Sequence, residues 1–133
     1  CALPRPGHEG TWITDEMLAA YTTLHRLGHA HSIECRHGGT LVGGMYGVAI
    51  GRVFFGESMF SRMTDASKVA LACACRWLTN WRYALFDCQV ESAHLATLGA
   101  RALPRTQFVA ALSTLCAEEP AESAWRMFEE PVA

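Results

Sequence analysis

The chain predicts an α+β domain, α/β-like in having a sheet covered by helices. Two observations carry this expectation. Stretches patterned as helix and as strand follow one another as helix, several strands, helix, strand, helix, an order that suits a sheet layered with helices. Half of the 133 residues are hydrophobic and 18% are charged, the composition of a packed globule rather than a disordered chain. No internal repeat and no linker divides the chain, so one domain over residues 1–133 is expected, long enough to bury roughly two-thirds of its unfolded surface.

The elements follow in order. Residues 1–10 hold two prolines and two glycines and read as a loop. Thr14 or Asp15 can cap a helix running to Leu27, with Met17, Tyr21 and Leu24 as its apolar stripe and Gly28 as its stop. Residues 31–35 and 40–50 read as strands about a turn at His37-Gly38-Gly39. Gly51 is a break, and residues 52–55 read as a further strand. Residues 56–63 read as a strand-to-helix loop carrying several large apolar groups. Thr64 or Asp65 caps a second helix to about Trp81, striped by Ala70, Leu71, Ala74, Leu78 and Trp81. Residues 84–90 form a strand, 92–98 a short helix closed by Gly99, and 106–116 a last helix with Phe108, Leu112 and Leu115 facing inward. The pattern weakens after Glu118, and a loosely ordered tail over about 117–133 is expected.

Charge and cysteine usage bound the partners. A net charge of −2 gives no global basic field, so a nucleic-acid partner needs a local basic patch or help from elsewhere. Cys1, Cys35, Cys73, Cys75, Cys88 and Cys116 include no C-x-x-C pair, and the chain is not a short, loop-rich scaffold, so free thiols in a reducing cytosol are expected. Apolar runs are interrupted too early to span a membrane, and no signal peptide is evident. The first residue is Cys1 rather than Met, which suggests a fragment or a processed product.

Several patterns fail as chemistry. The glycines at 43, 44, 47 and 51 lie inside a strand, and no Gly-Lys-Ser/Thr follows them, so neither a phosphate loop nor a dinucleotide motif is formed. His25 and His29 are four apart, but Gly28 ends the helix between them and no Glu stands in the H-E-x-x-H position; no metal is expected. No local signature assembles a Ser-His-Asp or Cys-His set. Two patterns remain. Glu57 sits among Phe54, Phe55, Met59, Phe60 and Met63 after a strand, where α/β pockets form, although a loop that simply packs down reads the same way. Asp87 and Gln89 are two apart on a strand and so share a face, as a polar site or as a satisfied structural pair.

The run MYGVAIGRVFFGESMFSRMTDASK over residues 45–68, preceded by Val42-Gly43-Gly44, resembles the leucyl/phenylalanyl-tRNA–protein transferases. So do Gly10-Thr11-Trp12-Ile13, Ala30-His31-Ser32-Ile33-Glu34, Phe86-Asp87-Cys88-Gln89 and His94-Leu95-Ala96-Thr97-Leu98-Gly99-Ala100. The likeness runs from Cys1 to about Phe108, and its GESMFSR and DCQ blocks are highly specific.

The resemblance implies an acetyltransferase-like (GNAT-type) mixed sheet flanked by helices, usually preceded by a smaller N-terminal domain that is missing here. The chain would then be the C-terminal catalytic domain. It implies a monomeric bacterial cytoplasmic aminoacyltransferase without cofactor. The reaction would move leucine or phenylalanine from aminoacyl-tRNA to proteins beginning with Arg or Lys, marking them for N-degron degradation. By the same resemblance Met45, Phe54, Met59 and Leu71 line the pocket for the transferred side chain, and Trp12 helps hold the terminal adenosine. Glu57, Asp87 and Gln89 surround the reacting amine and ester. Two features depart from the family pattern: Cys35-Arg36 replaces an apolar residue and Trp, and Ala74 replaces a bulkier group. The competing readings are a weakly active or non-catalytic fragment of such an enzyme, and an acyl-CoA N-acetyltransferase. The latter lacks the glycine-rich pyrophosphate loop it needs.

Overall fold

The computed structural model describes Cys1, Ala2 and residues 13–126. Within them the chain runs α1 (Asp15–Arg26), β1 (Ala30–His37), β2 (Thr40–Ile50), β3 (Val53–Ser61), α2 (Ala66–Asn80), β4 (Leu85–Asp87), α3 (Ala93–Thr97) and α4 (Arg105–Leu115). The strands form one sheet in the order β1-β2-β3-β4. The first three strands are antiparallel and linked by short turns, and β4 joins β3 in parallel after the α2 crossover. The fold is therefore the expected mixed sheet with flanking helices.

Local chemistry explains most element ends. Thr14 is extended and its hydroxyl accepts from the Met17 amide at 3.3 Å, which starts α1. Met17, Tyr21 and Leu24 are its half-buried stripe, and the residues between them are exposed. The start of α2 differs from expectation. Asp65 is left-handed at φ 63° and makes no side-chain cap, and Ser61 Oγ instead accepts from the Ser67 amide at 3.3 Å. Ser92 caps α3 through the Leu95 amide at 3.1 Å.

The largest departure lies at residues 56–63. Instead of a loop, β3 continues to Ser61, because the long β2 supplies backbone partners as far as Gly43↔Ser61. The register passes from Gly47↔Gly56 to Tyr46↔Ser58, so Glu57 is the extra residue of a bulge. In contrast, β4 pairs over only three residues of the seven expected to be extended.

One face of the sheet packs against α2. Ile33, Met45 and Phe54 meet Ala70, Leu71, Ala74, Leu78 and Trp81 in a single buried cluster, where apolar burial contributes roughly 25 cal/mol per Å². On α4, Phe108, Leu112 and Leu115 are half-buried as expected.

Loose order was expected from about residue 117, but as far as residue 126 the chain is packed. Glu118 pairs with Arg52, the Ala121 amide donates to Trp81 O at 2.8 Å, and Trp125 Nε1 donates to Tyr83 Oη at 2.9 Å. These anchors lie outside any long regular element and so leave no periodic trace in the sequence.

Candidate functional site

The site grows from the parting of two parallel strands. β3 and β4 pair through Val53↔Leu85, Phe54↔Phe86 and Phe55↔Asp87; β4 then ends and β3 runs on. A Cβ at Gly56 would lie 2.7 Å from the Phe86 ring, so glycine is what lets that ring reach the last paired residues. Beyond them Asp87 Oδ1 accepts from the Gln89 amide at 2.8 Å, and Gln89 itself is left-handed at φ 65°. This local turn carries the chain off the sheet. Beyond Phe55↔Asp87 that edge of β3 has no strand partner among the described residues, at the carboxyl ends of the strands, a position where α/β folds bind ligands.

Into that gap the bulge presents Glu57. Gln89 Nε2 donates to Glu57 Oε1 at 3.3 Å, so Glu57 on β3, Asp87 at the end of β4 and Gln89 in the turn beyond it form one connected group; Asp87 and Gln89 do not share a strand face as expected, because β4 ends at Asp87. The thirty-two positions that separate Glu57 from Gln89 are bridged by the α2 crossover.

Two phenols border the group from the side of α1. The Tyr21 ring meets the Tyr46 ring edge to face at 5.1 Å and 73°. Burial, followed by the adjacent Glu57 carboxylate, pushes the Tyr21 phenol well above its ordinary range. Burial first, and Glu57 second, also raise Tyr46. Tyr46 Oη and Ser58 Oγ are both buried without a hydrogen-bond partner among the described residues, and these two residues are paired across β2 and β3 beside the bulge. Buried hydroxyls are normally satisfied, so two orphans together suit a polar ligand. Sequence reasoning had placed Tyr21 on an apolar stripe and had passed over Tyr46 and Ser58. The available signal was a phenol where Leu would serve, because a buried phenol seeks a partner.

Two clefts flank the group. One, of about 490 Å³, is lined by Tyr21, His25, Ile33, Met45, Tyr46 and Phe60. The other, of about 740 Å³, is lined by Asp87, Gln89, Leu71, Phe55, Phe86 and Phe108. The four apolar residues expected to form a side-chain pocket do gather. Met45 (5% exposed), Phe54 (0%) and Leu71 (9%) share the buried cluster, and Met59 packs against it. Phe54 is wholly enclosed and lines neither cleft, whereas Met45 opens on one and Leu71 on the other. Trp12 lies outside the described residues.

Among the described residues no group of three or more His, Cys, Asp or Glu is placed to hold a metal ion. No helix among them is long and apolar enough to cross a membrane. Chemically, two carboxylates and an amide can hold and orient a protonated or neutral amine, and the orphaned hydroxyls can donate to a carbonyl oxygen.

The mixed sheet with its flanking helices is of the GNAT-like architecture. The solved structure of AAC(6')-Iy in complex with a bisubstrate analogue matches it with a TM-score of 0.51, covering 75% of this chain and 78% of that one. At 20% identity the likeness is one of fold. The profile of the leucyl/phenylalanyl-tRNA protein transferases matches residues 1–113, and the chain belongs to that family. The leucyl/phenylalanyl-tRNA–protein transferase of Nitrosomonas europaea is 60% identical over 115 residues, covering 86% of this chain and 49% of the relative. That of Cupriavidus necator is 58% identical over 123 residues, covering 92% and 49%. The chain thus spans about half the length of these relatives.

Proposed function

We propose that the chain carries the transfer site of a leucyl/phenylalanyl-tRNA–protein transferase. Leucine or phenylalanine moves from an aminoacyl-tRNA to the α-amine of an acceptor beginning with Arg or Lys. The observation that carries this reading is the Glu57–Gln89–Asp87 group at the point where β3 and β4 part.

In the reaction the acceptor nitrogen attacks the ester carbonyl carbon. The new C–N bond forms, the C–O bond to the tRNA ribose breaks, and the amine's proton passes to the departing ribose oxygen. An α-amine titrates near about 7.7–8.0, so a usable fraction is already neutral at pH 7. The ester is itself activated, and holding the two reactants together supplies most of the rate. Asp87 orients the amine and takes part in relaying its proton. Gln89 gives its side-chain NH2 to Glu57, and its carbonyl oxygen, which has no donor among the described residues, can accept from the amine. The acidic pair attracts the cationic acceptor terminus.

Of the four residues assigned to the side-chain pocket, Met45 opens on one cleft and Leu71 on the other, with Phe54 and Met59 packed between them, and this apolar group would adapt to a γ-branched or aromatic side chain. Rejection of β-branched side chains by shape is worth about 1–3 kcal/mol. Trp12 would help hold the terminal adenosine, by stacking or packing. The protein acts as a monomer in the bacterial cytoplasm, and its products are marked for N-degron degradation. An acyl-CoA acetyltransferase reading finds no support, because the segment between β3 and α2 has no glycine-rich run to cradle a pyrophosphate.

A net charge of −2 and a length about half that of its relatives favour a second reading for the chain taken alone, in which it grips tRNA weakly. One assay separates the two. Labelled leucine is followed from charged tRNA to an Arg-initiated peptide, using the chain alone and the chain joined to the part of the Nitrosomonas europaea relative that it does not span. Transfer by both supports the full reading, and transfer by the joined form alone supports the second. Absence of transfer from both sinks the proposed function.

A further inference from the structure

Along the α1-facing side of β3 three side chains stand in a row. Ser58 pairs with Tyr46 and Phe60 with Gly44. The Arg62 amide then donates to Val42 O at 2.7 Å, which carries the ladder one step past the end of the strand. Positions two apart share a face, so Ser58, Phe60 and Arg62 lie on the side where the Tyr46 ring meets Tyr21 of α1. Each brings a different chemistry. Ser58 brings a buried hydroxyl without a partner among the described residues, beside the equally orphaned Tyr46. Phe60 brings a half-buried ring that lines the smaller cleft and lies over Gly44, 3.4 Å from where a Cβ would stand. Arg62 brings an exposed cation, its guanidinium held over the Phe60 ring with 5.9 Å between Cζ and the ring centre. At about 3.3 Å per residue, the row runs about 13 Å from hydroxyl to cation.

Charge sets Arg62 apart from its neighbours. Arg36 is bound to Glu34, a carboxylate lining this cleft, and Lys68 to Asp65. Arg62 has no ion pair among the described residues, so its charge is available to a ligand. In the other cleft acid and base offset one another, with Asp87 and Glu91 against Arg101 and Arg105, and its carboxylates suit the cationic acceptor terminus. A nucleotide chain therefore fits the α1 side: its ester falls beside Glu57 and the orphaned hydroxyls, a base finds the ring, and a phosphate finds the cation. We propose that Arg62, steadied by Phe60, binds a backbone phosphate near the 3′ end of the aminoacyl-tRNA. The inference rests on the transfer reaction proposed above. It supplies a local basic contact of the kind that a chain of net charge −2 needs for a polyanion. Arg62 stands at the far end of the row from the ester, so it is a binding residue and not a catalytic one.

Two donors separate a phosphate contact from every other role: phenylalanyl-tRNA, and 3′-phenylalanyl-adenosine, which carries the same ester and no phosphate. Each is given with one Arg-initiated peptide to the chain, or to the joined form described above where the chain alone is inactive. KM is read because it does not depend on how much of a variant is folded. Arg62→Gln is expected to raise the KM for phenylalanyl-tRNA about tenfold, the scale of one charge-assisted bond, and to change that for the adenosine donor by less than about twofold. The slope of log KM against log salt for the tRNA should fall by about 0.7, the share of one phosphate on a single strand. Arg62→Lys keeps a cation and should raise the KM for the tRNA by less. If Lys is no better than Gln, charge is not what Arg62 contributes and the proposal fails. A KM that rises equally for both donors, one that rises for the peptide alone, or no change in any of them also overturns the phosphate contact, and each leaves the proposed function standing. No transfer by the unsubstituted protein from either donor, in either form, sinks both.

Discussion

Gln89 Nε2 donates to Glu57 Oε1 across 3.3 Å, tying β3 to the segment after β4 just beyond the last residues these strands pair. The bond needs a bulge on one strand and a left-handed residue at the end of the other. Its consequence is polarity: the Gln89 side-chain NH2 points at the carboxylate, and its carbonyl oxygen has no hydrogen bond among the described residues.

This polarity gives the first prediction. Glu57→Gln keeps an acceptor for Gln89 and is expected to cost less activity than Glu57→Ala. Gln89→Ala is expected to lower the single-turnover transfer rate about a hundredfold, the scale of a displaced reactant. Gln89→Glu sets two carboxylates against each other and should be worse than Gln89→Ala, with partial recovery only as salt approaches about 1 M, where the screening length falls to about 3 Å. Equal rates for the two Gln89 variants at every ionic strength would remove charge from the account.

Asp87 supports the second prediction. Its Oδ1 accepts from the Gln89 backbone N–H at 2.8 Å, and that turn aims the Gln89 side chain at Glu57. Asp87→Asn retains the acceptor and should lose about tenfold, whereas Asp87→Ala should lose about a hundredfold or more. If Asp87 acts chiefly as a general base, Asn will be as inactive as Ala. Single-turnover rates across pH, with folding checked by circular dichroism, distinguish these outcomes. Unchanged rates in both variants would make Asp87 structural.

Gly47 yields a prediction about stability alone. A Cβ there would lie 2.3 Å from Phe55 O as well as 2.6 Å from the Phe54 ring, and a backbone oxygen in a sheet cannot swing aside. Gly47→Ala is expected to destabilise by about 2 kcal/mol or more, near the upper part of the usual cost of overpacking. Urea unfolding measures it; a variant as stable as the unsubstituted chain contradicts this crowding.

His31 yields a pH prediction. Burial lowers its pKa from 6.5 to about 4, helped by the charges of His25 and His29 and opposed by a hydrogen bond to the Gly28 carbonyl. Its Nε2 is buried without a partner among the described residues, so protonation there gains nothing. Above pH 6.5 the ring is neutral in both folded and unfolded chains. As pH falls from 6.5 towards 4, the unfolded chain takes up the proton first, and stability is lost across that window. Discounted for the ring's partial exposure, the loss is about 1 kcal/mol. Thermal unfolding between pH 7 and 4.5 should show it, and His31→Phe, which keeps a ring against Trp125, should flatten the curve through this range. A His31→Phe curve with the same slope would rule out this histidine as its source.

Much of the architecture was legible because it is written in local chemistry. The Thr14 cap, the stripe of Met17, Tyr21 and Leu24, the glycine turn before β2 and the apolar face of α2 are each decided within a few residues. The extension of β3 was not. Residues 57–61 carry no strict alternation, because the bulge at Glu57 shifts the side-chain phase, and the pattern reads as a loop. Glu57, Asp87 and Gln89 were legible as residue types in specific motifs, and Tyr21 was visible only as one member of a stripe.

By itself the sequence determined which elements form, that they build a mixed sheet under helices, and which family the chain belongs to. These follow from residue patterns only a few positions long. The tertiary structure alone decided that Gln89 meets Glu57 and that the hydroxyls of Tyr46 and Ser58 are left without partners. It also decided that Trp125 lies against Phe54. Each of these depends on strand register, on a single inserted residue, or on where a non-periodic segment comes to rest. Such contacts join positions tens of residues apart, and they are selected by the packing of the whole domain and not by the local preferences of either residue.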